Sequence, residues 1–199
     1  MQFKDLVKES MLVERDAITE LIESSANDYE KLCEALLDCQ GKIIFIGVGK
    51  SGHIGKKLAA TFSSTGSASF FIHATEAVHG DLGMIHKNDI VILISNSGST
   101  QEVLSTLPTL KNIGCLTVAL TAGADSNLAR ECDYKLVYPK TNEADHLNLA
   151  PTASSTMALV LGDAIACALS KAKSFEKEDF HLYHPAGALG KKLKEVTVK

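Results

Sequence analysis

Residues 90–102 read Ile-Val-Ile-Leu-Ile-Ser-Asn-Ser-Gly-Ser-Thr-Gln-Glu, an apolar run followed directly by a polar turn. The run Ile90–Ile94 has the length and composition of a buried parallel strand. Apolar residues at helical spacing begin at Val103 and continue to Leu110, so we predict that the polar residues form a strand-to-helix turn. A strand, a turn and a helix in this order are typical of an α/β domain with a parallel sheet.

The polar turn carries four hydroxyl groups, whereas an N-cap needs one Ser or Thr. Backbone amides at a helix start have no intrahelical partner and lie at the positive end of the helix dipole, so they attract anions. We therefore predict a phosphate-binding site for a small phosphorylated metabolite; the alternative is a capping cluster that binds nothing. The predicted phosphate-binding residues of the turn are Ser95, Asn96, Ser97 and Thr100.

The composition is that of an ordinary globular domain. The 199 residues are 45% hydrophobic and 22% charged, and the net charge of −4 provides no global basic field for nucleic acid or anionic lipid. The five cysteines are odd in number and form no CxxC pair, so reduced thiols are expected. Neither a signal peptide nor a membrane span is indicated. We predict a cytoplasmic protein without nucleic-acid or membrane partners.

Strand and helix patterns alternate along the chain, which predicts one α/β domain over residues 1–199. Residues 1–40 are predicted to form two amphipathic helices, residues 41–175 an αβα core, and residues 176–199 a C-terminal segment that completes the site. Five parallel strands with helices on both faces make a three-layer sandwich, whose ligand binds beyond the carboxyl ends of the strands. The predicted strands are Lys42–Gly47, Ser69–Ile72, Ile90–Ile94, Cys115–Leu120 and Tyr134–Tyr138.

Two predicted helices concern the site and the assembly. One continuous helix is predicted to follow the polar turn and to end at Asn112, before Gly114. Another covers Pro151–Lys173 and is apolar nearly all round, with only Asp163 charged in its interior. Such a helix is buried in the core or between subunits, so a homo-oligomer is expected.

A GxGxxG pattern at residues 47–52 follows the first predicted strand. A dinucleotide-binding fold needs an acidic residue at the end of the next strand, where this chain has His73, and a P-loop needs a glycine where it has Ile44. The glycine turn is therefore predicted to bring Lys50 and Ser51 to the mouth of the sheet without binding a nucleotide. No cofactor is expected.

Short motifs over about residues 40–195 belong to one pattern. They are Gly-Val-Gly-Lys-Ser-Gly-His-Ile-Gly at 47–55, Ala-Ala-Thr-Phe at 59–62, Ser-Thr-Gly at 64–66, Glu76, His-Gly-Asp-Leu-Gly-Met at 79–84, Ser-Asn-Ser-Gly at 95–98, Leu-Ala-Pro-Thr at 149–152, His184-Pro185 and Gly-Ala-Leu-Gly at 187–190. Together they resemble the sugar isomerase (SIS) domain of bacterial D-arabinose 5-phosphate isomerases. Many members continue into a pair of CBS repeats after this domain. The 199 residues leave no room for such repeats, so a single-domain form is expected.

The resemblance implies an aldose–ketose isomerase that interconverts D-ribulose 5-phosphate and D-arabinose 5-phosphate through a cis-enediol and supplies Kdo for lipopolysaccharide. It also implies a homo-oligomer, expected to be a tetramer with sites at subunit interfaces. Kdo or its nucleotide-activated form is a candidate feedback ligand. The alternatives are another sugar-phosphate isomerase of this fold, acting on a heptose or hexulose phosphate, and a non-catalytic sugar-phosphate sensor.

The catalytic residues implied by the resemblance are Lys50, His79, Glu102, Glu143 and His184. A carboxylate with a raised pKa would move the proton between C1 and C2, a His would open the furanose ring, and the Lys would stabilise enediolate charge. Which carboxylate is the base and which His opens the ring stay open. Further candidate substrate-binding residues are Ser51, Gly66 and Ser67. His73 matches a position at which relatives bind zinc, which we interpret as inhibitory rather than required.

The chain departs from the family pattern at three positions. Ser99 follows Ser-Asn-Ser-Gly where a Glu is frequent, and Glu102, three positions later, keeps its own match. His146 and Asn148 stand where Pro and Gly usually precede Leu-Ala-Pro-Thr. Without the resemblance, Glu102 would be interpreted as an acid that favours a helix start, and Glu143 as a surface residue.

Overall fold

The computed structural model describes residues 2–24 and 26–186. Within them, five parallel strands form one sheet in the order β2-β1-β3-β4-β5, and helices cover both faces, which confirms the predicted three-layer sandwich. The strands are β1 (Ile43–Gly47), β2 (Ser69–His73), β3 (Ile90–Ile94), β4 (Leu116–Thr121) and β5 (Tyr134–Val137). The helices are α1 (Phe3–Glu23), α2 (Tyr29–Leu37), α3 (Gly49–Ser64), α4 (Ala74–Ala77), α5 (Gln101–Leu104), α6 (Leu107–Ile113), α7 (Asn127–Glu131), α8 (Ala153–Ala172) and α9 (Lys177–Tyr183), with a 3-10 turn at Asp81–Met84.

The strands alternate their side chains between two apolar layers. Phe45 and Ile92 belong to the layer under α1, α2, α3 and α8, whereas Ile44 and Val91 belong to the layer under α4 to α7. Every residue of β1 and β3 is buried. Central strands with apolar layers on both sides need this composition, which explains the uninterrupted apolar runs in the sequence.

The order in which strands are added to the sheet reverses at its centre, because β2 is added on one side of β1 and β3 on the other. β1 and β3 are neighbours, but α3 packs on one face of the sheet while α5 and α6 pack on the other. Such a switch point opens a crevice beyond the carboxyl ends of the two strands. The crevice lies between the glycine turn at 47–52 and the polar turn at 95–100.

The helix after the polar turn is broken, which corrects the predicted continuous helix. α5 ends at Leu104 and α6 begins at Leu107, with Pro108 in its first turn. Because Pro has no amide proton to donate to a preceding carbonyl, it begins a new helix. α4, the 3-10 turn and α9 were not predicted from the sequence, because such short segments hold too few residues to show a helical period.

Among residues 2–24 and 26–186, α8 is the one helix whose length and composition would allow it to cross a membrane. Half of the apolar segment of α8 is buried inside the domain. It packs against α1, α2 and α3, and a Cβ added at Gly162 would lie 2.5 Å from the Leu58 methyl groups of α3. Its composition is therefore that of a core helix.

Candidate active site

The polar turn after β3 is compact and internally hydrogen-bonded. The buried Ser95 Oγ accepts the Gly98 amide at 3.1 Å and lies 2.8 Å from Thr100 Oγ1, and Ser97 Oγ accepts the Ser99 amide at 3.2 Å. Gly98 has φ +64°, and a Cβ there would lie 1.9 Å from Ser126 Oγ. The turn is therefore rigid, and glycine is required at its centre.

The same turn also has backbone amide donors that its own hydrogen bonds do not use. Among the described residues, neither the Ser97 amide nor the Thr100 amide has a hydrogen-bond acceptor, and Ser97 is exposed. The helix that follows, α5, has only four residues, so its dipole contributes less than the sequence pattern suggested. The amides and hydroxyl groups of the turn itself are the donors available to a phosphate.

Lys50 and Ser51 lie across the crevice, in the first turn of α3. This helix has 16 residues and begins after Val48 with no side-chain cap, so its first amides are available to an anion. Lys50 is exposed and Ser51 is half-buried. The glycine turn thus brings a cation and a hydroxyl to the edge where the polar turn lies, as the sequence predicted.

His73, His79 and Glu102 lie at the same sheet edge. His73 ends β2 in register with Gly47, and its Nδ1 accepts the Thr75 amide at 3.3 Å. His79 follows α4, which packs against α5, and α5 carries Glu102 in its first turn; both side chains are exposed. The part of the chain that the structure describes holds no cluster of three His, Cys, Asp or Glu that could bind a metal.

Glu143 is held at the N-terminus of α8. Its Oε2 accepts the Thr152 amide at 2.8 Å, the Ser154 amide at 3.1 Å and Thr152 Oγ1 at 3.2 Å, and its Oε1 accepts the Ser154 hydroxyl. Burial raises the pKa of the Glu143 carboxyl, but the Ser154 hydroxyl, the two amides and the Thr152 hydroxyl lower it more, so the pKa lies below its ordinary 4.5. The raised pKa expected of the base is therefore not found at Glu143, which is a carboxylate at neutral pH.

A hollow of about 730 Å³ opens beside Glu143. One wall is α1 and the other is the loop that carries Glu143, joined where Ser10 Oγ donates to the Ala144 carbonyl at 3.4 Å. No site role was predicted from the sequence for α1, Thr152 or Ser154. The Leu-Ala-Pro-Thr motif indicated the position of Thr152 but not its contact. The lining residues are Leu6, Glu9, Ser10, Val13, Asn142, Glu143, Ala144, Asp145, His146 and Asn148.

Gly66 and Ser67, which were predicted to bind the substrate, lie at the edge of the sheet opposite the polar turn, and this placement does not support their role in the site of the same chain. They precede β2, whose five residues separate them from the carboxyl edge by about 16 Å. A Cβ at Gly66 would lie 2.5 Å from Phe175, and Ser67 Oγ accepts a hydrogen bond from Lys173 Nζ at 2.7 Å. Both residues are occupied in packing the C-terminus of α8.

His184 is also remote from the crevice of its own chain. α8 runs about 30 Å, from the loop of Glu143 to the edge where Lys173 contacts Gly66. α9 follows there and is only about 10 Å long, too short to lead back. The His184 ring stacks on Phe180 with centroids 4.0 Å apart, and its Nδ1 lies 2.9 Å from the Phe180 carbonyl oxygen.

Residues 36–168 match the family model described as the SIS domain. The chain belongs to the SIS domain family. This SIS domain is 49% identical over 181 residues to the arabinose 5-phosphate isomerase KdsD of Pseudomonas aeruginosa, and 47% identical over 191 residues to that of Escherichia coli strain K12. The alignments cover 91% and 96% of this chain but 56% and 58% of those proteins, so the chain spans less than two thirds of their length.

A solved structure is similar to this SIS domain over nearly its whole length. It is E. coli CFT073 c3406 in complex with arabinose 5-phosphate, which is 54% identical with a TM-score of 0.90. The match covers 93% of this chain and 100% of that chain.

Proposed function

We propose that the protein is an aldose–ketose isomerase that interconverts D-ribulose 5-phosphate and D-arabinose 5-phosphate, in supply of Kdo for lipopolysaccharide. The observation that carries the proposal is a rigid turn after β3 with amide donors unpaired among the described residues, together with an ionised carboxylate, Glu143, in the loop that follows β5 of the same sheet. The names of the KdsD relatives and the arabinose 5-phosphate bound to c3406 support the choice of substrate.

The polar turn and the start of α3 form the proposed phosphate site. The Ser97 and Thr100 amides would donate to phosphate oxygens, and the hydroxyl groups of Ser95, Ser97 and Ser51 would add neutral donors. Rigid donors suit this task because they lose little conformational entropy when the phosphate binds. Asn96, exposed beside them, is proposed as a further contact.

The proposed chemistry consists of proton transfers alone. A carboxylate takes the proton from C2 of the open-chain aldose, the electron pair forms the C1=C2 bond, and O1 gains a proton to give the cis-enediol. Loss of the O2 proton and return of a proton to C1 give the ketose. Glu102 and Glu143 are the proposed candidates for the base, Lys50 would stabilise the charge on O1 and O2, and His79 or His184 would open the ring.

We propose that a second copy of the chain completes the site. His184 directly follows α9, which buries none of its own residues and exposes Leu182 and Tyr183. Along α1, Phe3, Val7 and Met11 form an exposed apolar ridge at i, i+4 spacing. Contacts among such surfaces in a homo-oligomer, with a tetramer as the proposed state, would bring His184 to a neighbouring hollow.

The location of the protein, its need for a cofactor, the effect of zinc and the feedback ligand are proposed from the same family resemblance. Cytoplasmic location is consistent with five free cysteines in the described residues. No cofactor enters the proposed reaction, since proton transfer between adjacent carbons needs none. Zinc at His73 is proposed to inhibit rather than to assist, and Kdo or its nucleotide-activated form is the proposed feedback ligand.

The test is proton exchange at C2 of arabinose 5-phosphate, followed by NMR in deuterated water with the purified protein. We expect the C2 signal to decline while ribulose 5-phosphate forms. A panel of pentose, hexose and heptose phosphates separates this activity from those of other isomerases of the fold. Phosphosugar binding with no exchange at any substrate would contradict the proposal and favour a sensor.

A further inference from the structure

The hydrogen bonds on the Glu143 carboxylate are unequally divided between its two oxygens. Oε2 accepts three, from the Thr152 amide, the Thr152 hydroxyl and the Ser154 amide. Oε1 accepts one, from the Ser154 hydroxyl. Because each carboxylate oxygen has about two lone-pair sites, Oε2 is fully used and the vacant acceptor position is on Oε1.

The residues that make these bonds are held firmly. Ser154 is 4% exposed in the first turn of the 20-residue α8. Thr152 Oγ1, besides donating to Glu143, accepts the Ala144 amide at 2.7 Å and so ties the loop to the helix start. The carboxylate is thus bound to the rigid core of the domain, while Glu143 itself lines the hollow.

We propose that Ser154 is a positioning residue of the isomerase site, whose hydroxyl orients Glu143 so that Oε1 is the atom that moves the substrate proton. The inference rests on the proposed isomerase function and decides between the two candidate bases in favour of Glu143. Glu102 is exposed on a four-residue helix, and its side chain accepts no hydrogen bond within the described residues. A base that takes a proton from C2 and returns it to the adjacent C1 needs a fixed direction, which Ser154 supplies to Glu143.

Other titratable groups surround Glu143 and are common to all the variants below. Tyr138 at the end of β5 is close enough for the Glu143 charge to help raise its pKa. Glu9 on α1 and Asp145 and His146 in the loop line the same hollow. The Glu14 carboxylate on α1 accepts a hydrogen bond from Thr156 Oγ1 at 2.9 Å and makes no hydrogen bond with Glu143.

The test compares two adjacent serines. Ser154→Ala removes the hydroxyl donor to Oε1 but keeps the amide donor to Oε2. The pKa of Glu143 should rise, so the acid limb of the kcat profile should move up by about one pH unit, and kcat should fall about tenfold with KM changed less than about twofold. Ser155→Ala is the matched control, because the Ser155 hydroxyl donates to the Pro151 and Thr152 carbonyls and not to Glu143.

A second pair keeps the inference testable if Ser154→Ala folds poorly in a thermal melt. Ser154→Cys replaces the hydroxyl by a thiol, which is a weak donor, and Ser154→Thr retains a hydroxyl. We expect Ser154→Cys to shift the acid limb in the same direction and Ser154→Thr to stay closer to wild type. An acid limb that is unchanged in Ser154→Ala, or in Ser154→Cys when that pair decides, would overturn the inference.

A direct measurement separates this inference from the proposed function. The carboxyl carbon of Glu143, labelled with ¹³C, is titrated by NMR in wild type, Ser154→Ala and Ser155→Ala. A higher titration midpoint in Ser154→Ala alone supports the positioning role even if the substrate is another sugar phosphate. Wild-type protein that is inactive on arabinose 5-phosphate refutes the proposed function, whereas equal midpoints in the three proteins refute the role of Ser154.

Discussion

Gly98 and Gly114 show how one residue type serves two purposes. Both have positive φ, +64° and +77°, which any other L-residue adopts only with strain. At Gly114 nothing lies within 4 Å of the position of a Cβ, whereas at Gly98 a Cβ would meet Ser126 Oγ at 1.9 Å. Gly114 therefore needs only backbone freedom, and Gly98 also needs the absence of a side chain.

This difference leads to a prediction for Gly98→Ala, with Gly114→Ala as control. Gly114→Ala should lower the free energy of unfolding by about 1 kcal/mol, from backbone strain alone. Gly98→Ala should lower the free energy of unfolding by about 1–3 kcal/mol more, because the polar turn or Ser126 must shift. It should also weaken phosphosugar affinity at least tenfold, on the order expected for misplaced donors. Urea unfolding and isothermal titration measure both. Equal costs for the two substitutions would contradict the close approach at Gly98.

The two candidate carboxylates give a second prediction at this scale. Glu143→Gln and Glu102→Gln each replace a carboxylate by an amide of nearly equal size. At least one should lose kcat by roughly 10²- to 10⁴-fold while still binding product, since an amide cannot take up the proton; by the inference above, that one is Glu143→Gln. Steady-state kinetics and the C2 exchange measure the loss. Near wild-type kcat in both variants would contradict the acid–base assignment.

Among the elements, β5 is an edge strand whose outer side is partly covered by the side chain of Asn27, from the segment between α1 and α2. Asn27 Nδ2 donates to the Val137 carbonyl at 2.8 Å, and the Val137 amide donates to Asn27 Oδ1 at 2.6 Å. The side-chain amide thus hydrogen-bonds β5 as a neighbouring strand would. It joins the segment between α1 and α2 to the sheet and covers part of an edge that could otherwise pair with another chain.

Asn27→Ala should therefore lower the free energy of unfolding by about 1–3 kcal/mol, because the Val137 amide and carbonyl lose their partners. The control is Asn112→Ala, at an exposed position of α6 whose side chain makes no hydrogen bond within the described residues. Urea unfolding followed by circular dichroism measures both. A cost for Asn27→Ala no larger than that for Asn112→Ala would mean that water replaces the Asn27 contacts without penalty.

Most elements could be predicted from local pattern. Each strand was predicted within one residue of either bound, since buried runs and glycine turns mark both ends. The break between α5 and α6 was missed because the apolar spacing continues through it, although Pro108 was a visible signal. α9 was missed because it is short and has no apolar face packed on its own core.

At the scale of the whole molecule, the two ends of α8 separate the groups of the proposed site. Glu143 lies at its start, and His184 lies beyond its far end in the same chain. An active site that uses both groups would need two copies of the chain, with a rotation that returns the second His184 to the first hollow.

Mixing inactive variants tests this arrangement. Glu143→Gln and His184→Ala chains, co-expressed in equal amounts, should recover up to about a quarter of wild-type activity, because random pairing leaves that share of sites with both native groups. Co-expressed Glu143→Gln and Lys50→Ala chains are the control, since both residues are proposed to act in the site of one chain, and they should recover none. No recovery in the first mixture, with mixed oligomers verified by mass spectrometry, would contradict the shared site.

The alternation of apolar runs, glycine turns and amphipathic segments was enough to predict the sheet, its layers and the polar turn, because these depend on neighbours in sequence. It could not reveal that Gly66 and Ser67 lie at the opposite edge of the sheet, that Ser154 holds Glu143, or that His184 is remote from the crevice of its chain. Each of those depends on contacts between segments far apart in sequence. Such contacts are decided by the packing of α8 and its flanking loops against the domain, which no local period encodes.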